Sequence, residues 1–316
     1  MVVFTEISFE EAEAFVSALG LGSLRGMEGR IGHNENTNYF IDTSGGDYVL
    51  TLFERMSFEQ LPFYLHLTKH LARHDIPVPC PVFDANGEIL HELKGKPAVL
   101  VNKLPGASEM APTLAHGHMM ADMLARMHLA GTDYSRFQSN PRGLAWWNTT
   151  VSGLLPHVTA NERSLMSDEL SLQNHIAASQ IYADLPKGIV HTGLFRNKVL
   201  FEDGKLSGFL DFHFAGIDTF LYDIGVCLND WCVHPATGRD DPDSVSTFLG
   251  AYQGVRKLTP QELQLLPALR RAGALCVWLS RLYDFHLSRQ ASILKVHDPL
   301  HFERILRSLR STHPLG

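Results

Sequence analysis

The sequence predicts an α+β fold in two lobes: a small antiparallel β lobe over residues 1–103 and a larger, mostly helical lobe over 104–316. Three observations lead to this division. Residues 38–54 carry two strand-like runs on either side of Gly45-Gly46. Beyond residue 104 apolar residues recur at helical spacing. Between them, Leu104-Pro105-Gly106 breaks any regular element and marks a hinge. A chain of 316 residues is long enough to give both lobes a core.

Taken in order, Thr5 to Leu19 reads as a short amphipathic helix capped by Thr5. Strand and turn signals begin at Gly29, with strands expected over Asn38 to Asp42 and Asp47 to Glu54. In the second strand the apolar run suits a covered sheet. Leu61 to His74 reads as a helix, ended by the prolines between Pro77 and Pro81. Two more strands are expected, one before Asn86-Gly87 and one over Pro97 to Asn102. After the hinge, Met120, Met123, Leu124, Met127 and His128 fall on one helical face, where the methionines read as core filler. A hairpin follows over Lys198 to Asp211, turning at Asp203-Gly204, and helix resumes from Tyr222.

Composition narrows the function classes. Hydrophobic residues make up 45% and charged residues 19%, ordinary for a globular protein. The net charge of -7 argues against general affinity for nucleic acid or anionic membrane. No apolar run approaches the roughly 18–20 residues of a membrane helix, and the N-terminus lacks the basic start and apolar core of a secretory signal. Cys80, Cys227, Cys232 and Cys276 are scattered, so a reducing, cytoplasmic setting is expected. The 17 histidines include no His-Glu-x-x-His run, and His116 and His118 fall on different helix faces, which disfavours a zinc hydrolase. The oligomeric state is left open.

The chemistry concentrates in the stretch from His191 to Phe201 and in Asp211. Together they have the outline of a phosphotransferase catalytic loop (His, any residue, Asp, four residues, Asn) followed by a metal-binding Asp. Two reacting positions depart from it: Gly193 stands for the Asp and Lys198 for the Asn. Glycine cannot accept a proton, and an ammonium cannot ligate a cation and competes with one for Asp211. Asp211, at a strand end, is placed to hold Mg²⁺. The polar stretch Gly29 to Asn38, with His33, Asn34 and Thr37, could present backbone N–H groups to phosphate, although an ordinary polar hairpin explains it equally.

Further runs carry a family resemblance over nearly the whole chain: Glu35 to Phe40, Tyr48 to Glu54, Asp75 to Pro79, Gly95 to Ala98, the His191 loop, Leu206 to Phe212, Tyr222-Asp223 and Leu228 to Cys232. These resemble the homoserine kinases of the aminoglycoside phosphotransferase and choline kinase superfamily. The resemblance implies a protein-kinase-like fold, ATP and magnesium as cofactors, and a small amino-acid-like hydroxyl substrate. It implies that Asp211 is the metal ligand, that Asp223 braces the catalytic loop and His191 anchors it, and that Asn229, Asp230 and Trp231 serve the acceptor side. Thr51 falls where more distant kinases carry a strand lysine, a position at which this branch often has Thr. The family loop usually reads His-Ala-Asp-Leu-Phe-Arg-Asp-Asn-Val, so Gly193, Asn197 and Lys198 depart from it, as does His33 in the phosphate loop.

Three functions follow from this mixture. The first is a phosphotransferase with impaired or altered chemistry, in which the Lys198 cation partly replaces a metal. The second is a non-catalytic binding protein of the pseudokinase kind, with Lys198 paired to Asp211. The third is a repurposed enzyme working without ATP through His33, Lys198 and His213.

Overall fold

The structure, a computed structural model, describes residues 5–31, 36–287 and 300–312. The chain divides into two compact units, one comprising Met1–Ala107 with Leu200–His213 and the other Ser108–Val199 with Phe214–Gly316. This division differs from the single boundary expected at 103 in that the 200–213 hairpin groups with the first unit.

The first unit opens with α1 (Phe9–Ala18), which begins four residues later than expected. Ser8, not Thr5, is its cap: Glu11 N–H donates to Ser8 Oγ at 3.2 Å and Ser8 N–H to Glu11 Oε2 at 2.9 Å, a reciprocal capping box. The Thr5 N–H donates instead to Thr37 Oγ1 at 3.2 Å. Next come β1 (Leu24–Ile31), β2 (Thr37–Thr43) and β3 (Gly46–Leu52), then α2 (Pro62–Arg73), β4 (His91–Leu93) and β5 (Lys96–Asn102). The strands form an antiparallel sheet in the order β1-β2-β3-β5-β4. Sequence reading missed β1 because Gly26, Gly29 and a register shift between Leu24 and Gly26 blur its alternation.

Tyr39, Ile41, Leu50, Leu52, Ala98 and Leu100 share one sheet face and pack with Ala12 and Val16 of α1. Val99 lies on the other face, with Phe53, Leu61 and Leu65. The strand expected before Asn86-Gly87 is present only as an isolated bridge, Pro81 opposite Val101, with the Val82 N–H donating to the Leu100 carbonyl at 2.9 Å; the chain then turns, because the Asp84 carboxylate accepts from the N–H groups of Asn86 at 2.8 Å and Glu88 at 2.9 Å. From β6 (Ala107–Ser108) the chain passes to the helical unit, and the hairpin of β8 (Val199–Glu202) and β9 (Lys205–Phe209) belongs mainly to the first unit. Asp203 (φ 49°) and Gly204 (φ 74°) supply its two left-handed turn positions, as expected.

The second unit contains α3 (Leu114–Ala130), α4 (Leu144–Leu154), α5 (Ala160–Ala177), α6 (Gln180–Ala183), β7 (Lys187–Val190), β10 (Gly216–Thr219), α7 (Phe220–Trp231), α8 (Pro242–Val255), α9 (Pro260–His286) and α10 (Leu300–Thr312). The apolar stripe read on α3 is buried at Met120, Leu124, Met127 and His128, with Met123 half-buried. Helix α7 is buried almost all round. It packs on α9 with near backbone contact: a Cβ at Gly225 would lie 2.9 Å from the Leu269 carbonyl oxygen, and one at Gly273 would lie 3.0 Å from Val226. The two strands β7 and β10 pair antiparallel, Gly216 opposite Val190 and Thr219 opposite Lys187. Four residues carry too little alternation for either strand to register in the sequence.

Among the described residues no helix is long and apolar enough to cross a membrane. All four cysteines are free.

Candidate active site

The strand pairing puts the loop where one carboxylate can hold it. β7 ends at Val190 and runs straight into His191, while β10 leads through the cap Thr219 into α7, whose first turn carries Asp223. Asp223 Oδ2 accepts from the His191 N–H and Oδ1 from the Thr192 N–H, each at 2.8 Å. Thr192 has φ 69°, a left-handed conformation that costs a β-branched residue roughly 1–3 kcal/mol. Its hydroxyl also donates to the Phe214 carbonyl at 3.1 Å. Asp223 is fully buried. Burial alone would raise its carboxyl, but the hydrogen bond to His128 and the nearby His191 hold it below the ordinary carboxylate range.

The rest of the loop is tied from the end of α7. The Trp231 indole N–H donates to the Leu194 carbonyl at 2.8 Å. The Asp230 carboxylate accepts the Arg196 N–H at 2.7 Å, while burial pushes that carboxyl up against the pull of Arg196. Asn229 points elsewhere, donating to the Arg270 carbonyl at 2.7 Å within the core. Of the three residues expected on the acceptor side, then, two have their polar groups on the loop and the third on α9.

Gly193 is buried and does not need to be glycine: its φ is ordinary, and a Cβ there would meet Phe195 at 3.5 Å and Lys198 Nζ at 3.9 Å, normal contact distances. The Lys198 ammonium also lies 5.7 Å from the centre of the Phe195 ring. A side chain could therefore start at position 193 without a close contact at its Cβ, and the Lys198 cation would lie beside it.

The first unit holds the other expected site residues. Asp211 has φ 68°, and its Oδ1 lies 2.9 Å from His213 Nδ1. His213 sits edge-on to Phe53 at 5.5 Å and Tyr64 at 6.3 Å, so its ring orients the carboxylate against a fixed wall. Thr37 is fully buried, its hydroxyl donating to Glu54 Oε1 at 2.7 Å. Burial works to raise the Glu54 carboxyl, but hydrogen bonds from Lys96 and Thr37 win and lower it. Thr51 pairs in register with Asn38 and Val99, on the sheet face opposite Thr37, so the two threonines do not line one surface. His33 and Asn34 lie outside the described residues. Lys198 and His213 belong to different units.

Sequence reasoning missed His128 as a site residue. Its Nε2 lies 3.2 Å from Asp223 Oδ2 and its Nδ1 2.8 Å from the Tyr252 hydroxyl. One imidazole on an otherwise apolar helical face was the available signal.

An antiparallel sheet in the first unit and, in the second, helices that brace the His191 loop are features that a phosphotransferase fold presents. The chain belongs to the phosphotransferase enzyme family, which it matches over residues 29–258. Within that family it groups with the homoserine kinases. It is 62% identical to the homoserine kinase of Polaromonas naphthalenivorans over 314 residues, 99% of each chain. It is 47% identical to that of Ralstonia pickettii over 317 residues, covering 97% of this chain and 95% of the relative. An amicoumacin kinase solved with AMP-PNP, Ca2+ and Ami superposes with a TM-score of 0.72 at 18% identity, covering 97% of this chain and 95% of that one. The expected protein-kinase-like α+β fold is thereby borne out.

Proposed function

We propose that this chain is a kinase that transfers the γ-phosphoryl group of ATP to the hydroxyl of homoserine or a close hydroxy amino acid, more slowly than an enzyme with an Asp at the Gly193 position. The observation that carries the reading is the 62% identity, spread over 99% of the chain, to a homoserine kinase. The braced loop supports it, because phosphoryl transfer depends mainly on positioning and charge neutralisation.

Asp211 fits a Mg²⁺ ligand: a mostly buried carboxylate, oriented by His213, suits an ion that commonly takes one or two carboxylates plus substrate phosphates. When bound, the ion would draw charge from the transferring phosphate. Lys198 supplies a second positive charge to the phosphoryl oxygens in place of a neutral amide. No carboxylate at 193 takes the acceptor proton, so that proton leaves to a phosphate oxygen or to water. Loss of a general base costs about 10²–10⁴ in rate.

The test is formation of the phosphate ester from Mg-ATP and homoserine by the parent chain, Gly193→Asp, Lys198→Asn and the double variant. The parent should turn over slowly, and the double variant should exceed it by about 10²-fold or more. Gly193→Asp alone should gain much less, since its carboxylate would pair with Lys198 3.9 Å from the built Cβ. Absence of product from every form, with no rise in Tm on adding Mg-ATP, would overturn the reading.

A further inference from the structure

The brace on the loop extends well beyond Asp223. Oδ2 of Asp223 is shared between the His191 N–H at 2.8 Å and His128 Nε2 at 3.2 Å. Across the imidazole, Nδ1 meets the Tyr252 hydroxyl at 2.8 Å. Arg256 donates to that same hydroxyl at 3.3 Å and, through its other terminal nitrogen, to Glu262 Oε1 at 2.9 Å. Glu262 Oε2 accepts the Thr259 N–H at 2.8 Å and so completes the cap of α9. His128, Tyr252, Asp223 and Glu262 are all fully buried.

The donors and acceptors permit one direction of travel. A guanidinium only donates, so the Tyr252 oxygen accepts from Arg256 and its single proton is left for His128 Nδ1. Nδ1 is then the acceptor, and the ring proton sits on Nε2, facing a carboxylate that only accepts. Burial lowers the imidazole below its ordinary range, and the Arg256 charge adds to the effect, so the ring is neutral. Phe220 stacks on the imidazole at 4.7 Å and carries the Arg256 guanidinium 4.7 Å from its centre, which fixes the ring plane.

This order matters because Asp223 must present two oxygens to two successive N–H groups, one of them on the left-handed Thr192. A carboxylate free to rotate about its last bond would hold neither well. We propose that His128 is a positioning residue for the loop, and that the chain Arg256–Tyr252–His128–Asp223 locks the His191–Gly193 backbone by fixing the Nε2–H tautomer. The consequence for turnover rests on the phosphotransfer reading above. The consequence for the loop does not.

Two measurements on the full chain decide it without any activity. Imidazole ¹⁵N NMR should show His128 neutral and protonated at Nε2 near neutral pH; an Nδ1–H tautomer or an imidazolium would overturn the proposal. In amide exchange, His191 and Thr192 should exchange about 10–100-fold faster in Tyr252→Phe and His128→Leu than in the parent, with the α7 and α9 interiors unchanged. His128→Gln, whose amide nitrogen can reach the Nε2 place, should recover most of the protection. Unchanged protection at 191 and 192, or loss spread evenly over the unit, would mark His128 as packing alone. In turnover, His128→Leu should lower kcat by about 10²-fold with the KM for ATP within about threefold. If the parent itself lacks kinase activity, the phosphotransfer reading fails while the tautomer and exchange results still decide this one.

Discussion

The residues that hold the 191–198 loop and the residues that would react from it contrast within a span of eight positions. On the holding side, successive N–H groups of His191 and Thr192 meet one buried carboxylate, the Leu194 carbonyl meets Trp231, and the Arg196 N–H meets Asp230. At the positions expected to react, Gly193 offers no functional group and Lys198 offers a cation, although a Cβ at 193 would meet only ordinary contact distances. The difference teaches that the loop's backbone is held by side chains of α7, none of which contacts the side chain at 193 or 198 through these bonds. The backbone contacts and the side chains at 193 and 198 can therefore be perturbed separately.

The largest effect should come from removing the shared acceptor. Asp223→Ala leaves two loop N–H groups and His128 without their acceptor, with His191 and His128 buried and Thr192 half-buried. Each donor left unmade costs about 1–3 kcal/mol, so denaturant titration should show a loss of at least roughly 3 kcal/mol. Turnover should vanish with it. A stable Asp223→Ala chain with native loop exchange would show that the loop holds itself, and the contrast drawn above would collapse.

A smaller effect should separate the two ends of α7. Trp231→Phe keeps most of the ring volume but removes the N–H that donates to Leu194 at 2.8 Å. One buried carbonyl loses its partner, a cost of about 1–3 kcal/mol. The change should loosen the 194–196 segment in exchange measurements and leave His191 and Thr192 protected by Asp223. Equal loosening throughout would mean the loop is a single unit, not one pinned independently at each end.

How much of this could be read from the chain depends on the range of the interaction. The β2–β3 hairpin, the α3 core face and the β8–β9 turn were legible because each is written in local periodicity or turn chemistry. The loop outline was legible from spacing alone. Four-residue strands β7 and β10 were not, because their pairing joins residues almost thirty positions apart and leaves no local pattern. His128 shows the same limit at the site: its partners, Asp223 and Tyr252, lie 95 and 124 positions away. Trp231 and Asp230 were visible as a motif, but that they grip the loop backbone is a three-dimensional fact. Thr37 looked like a phosphate-side residue because its neighbours are polar; its hydroxyl in fact closes on Glu54 inside the unit.

The mildest perturbation, pH, sharpens the comparison by acting on the brace through His128. His128 is buried and neutral, its folded pKa lowered from 6.5 first by burial, against the opposing pull of Asp223. As pH falls below about 6.5 the unfolded chain takes up a proton that the native chain refuses. Stability must therefore fall with pH in that window, by up to about 1.4 kcal/mol per unit from this group, until the folded pKa is reached. Asp223 acts elsewhere: its folded pKa is depressed, so its contribution is complete above the ordinary value of 3.8 and is lost only as pH falls through the folded value. His301, also lowered by burial, adds in the same direction as His128. Urea midpoints for the parent and His128→Gln at about pH 7.5, 6.5 and 5.5 should show the parent losing stability more steeply over the lower interval. Parallel slopes would mean that His128 titrates alike in the folded and unfolded chains, and a parent that gained stability over that interval would mean a ring already charged in the native state; under either outcome the one-directional chain from Arg256 to Asp223 could not stand.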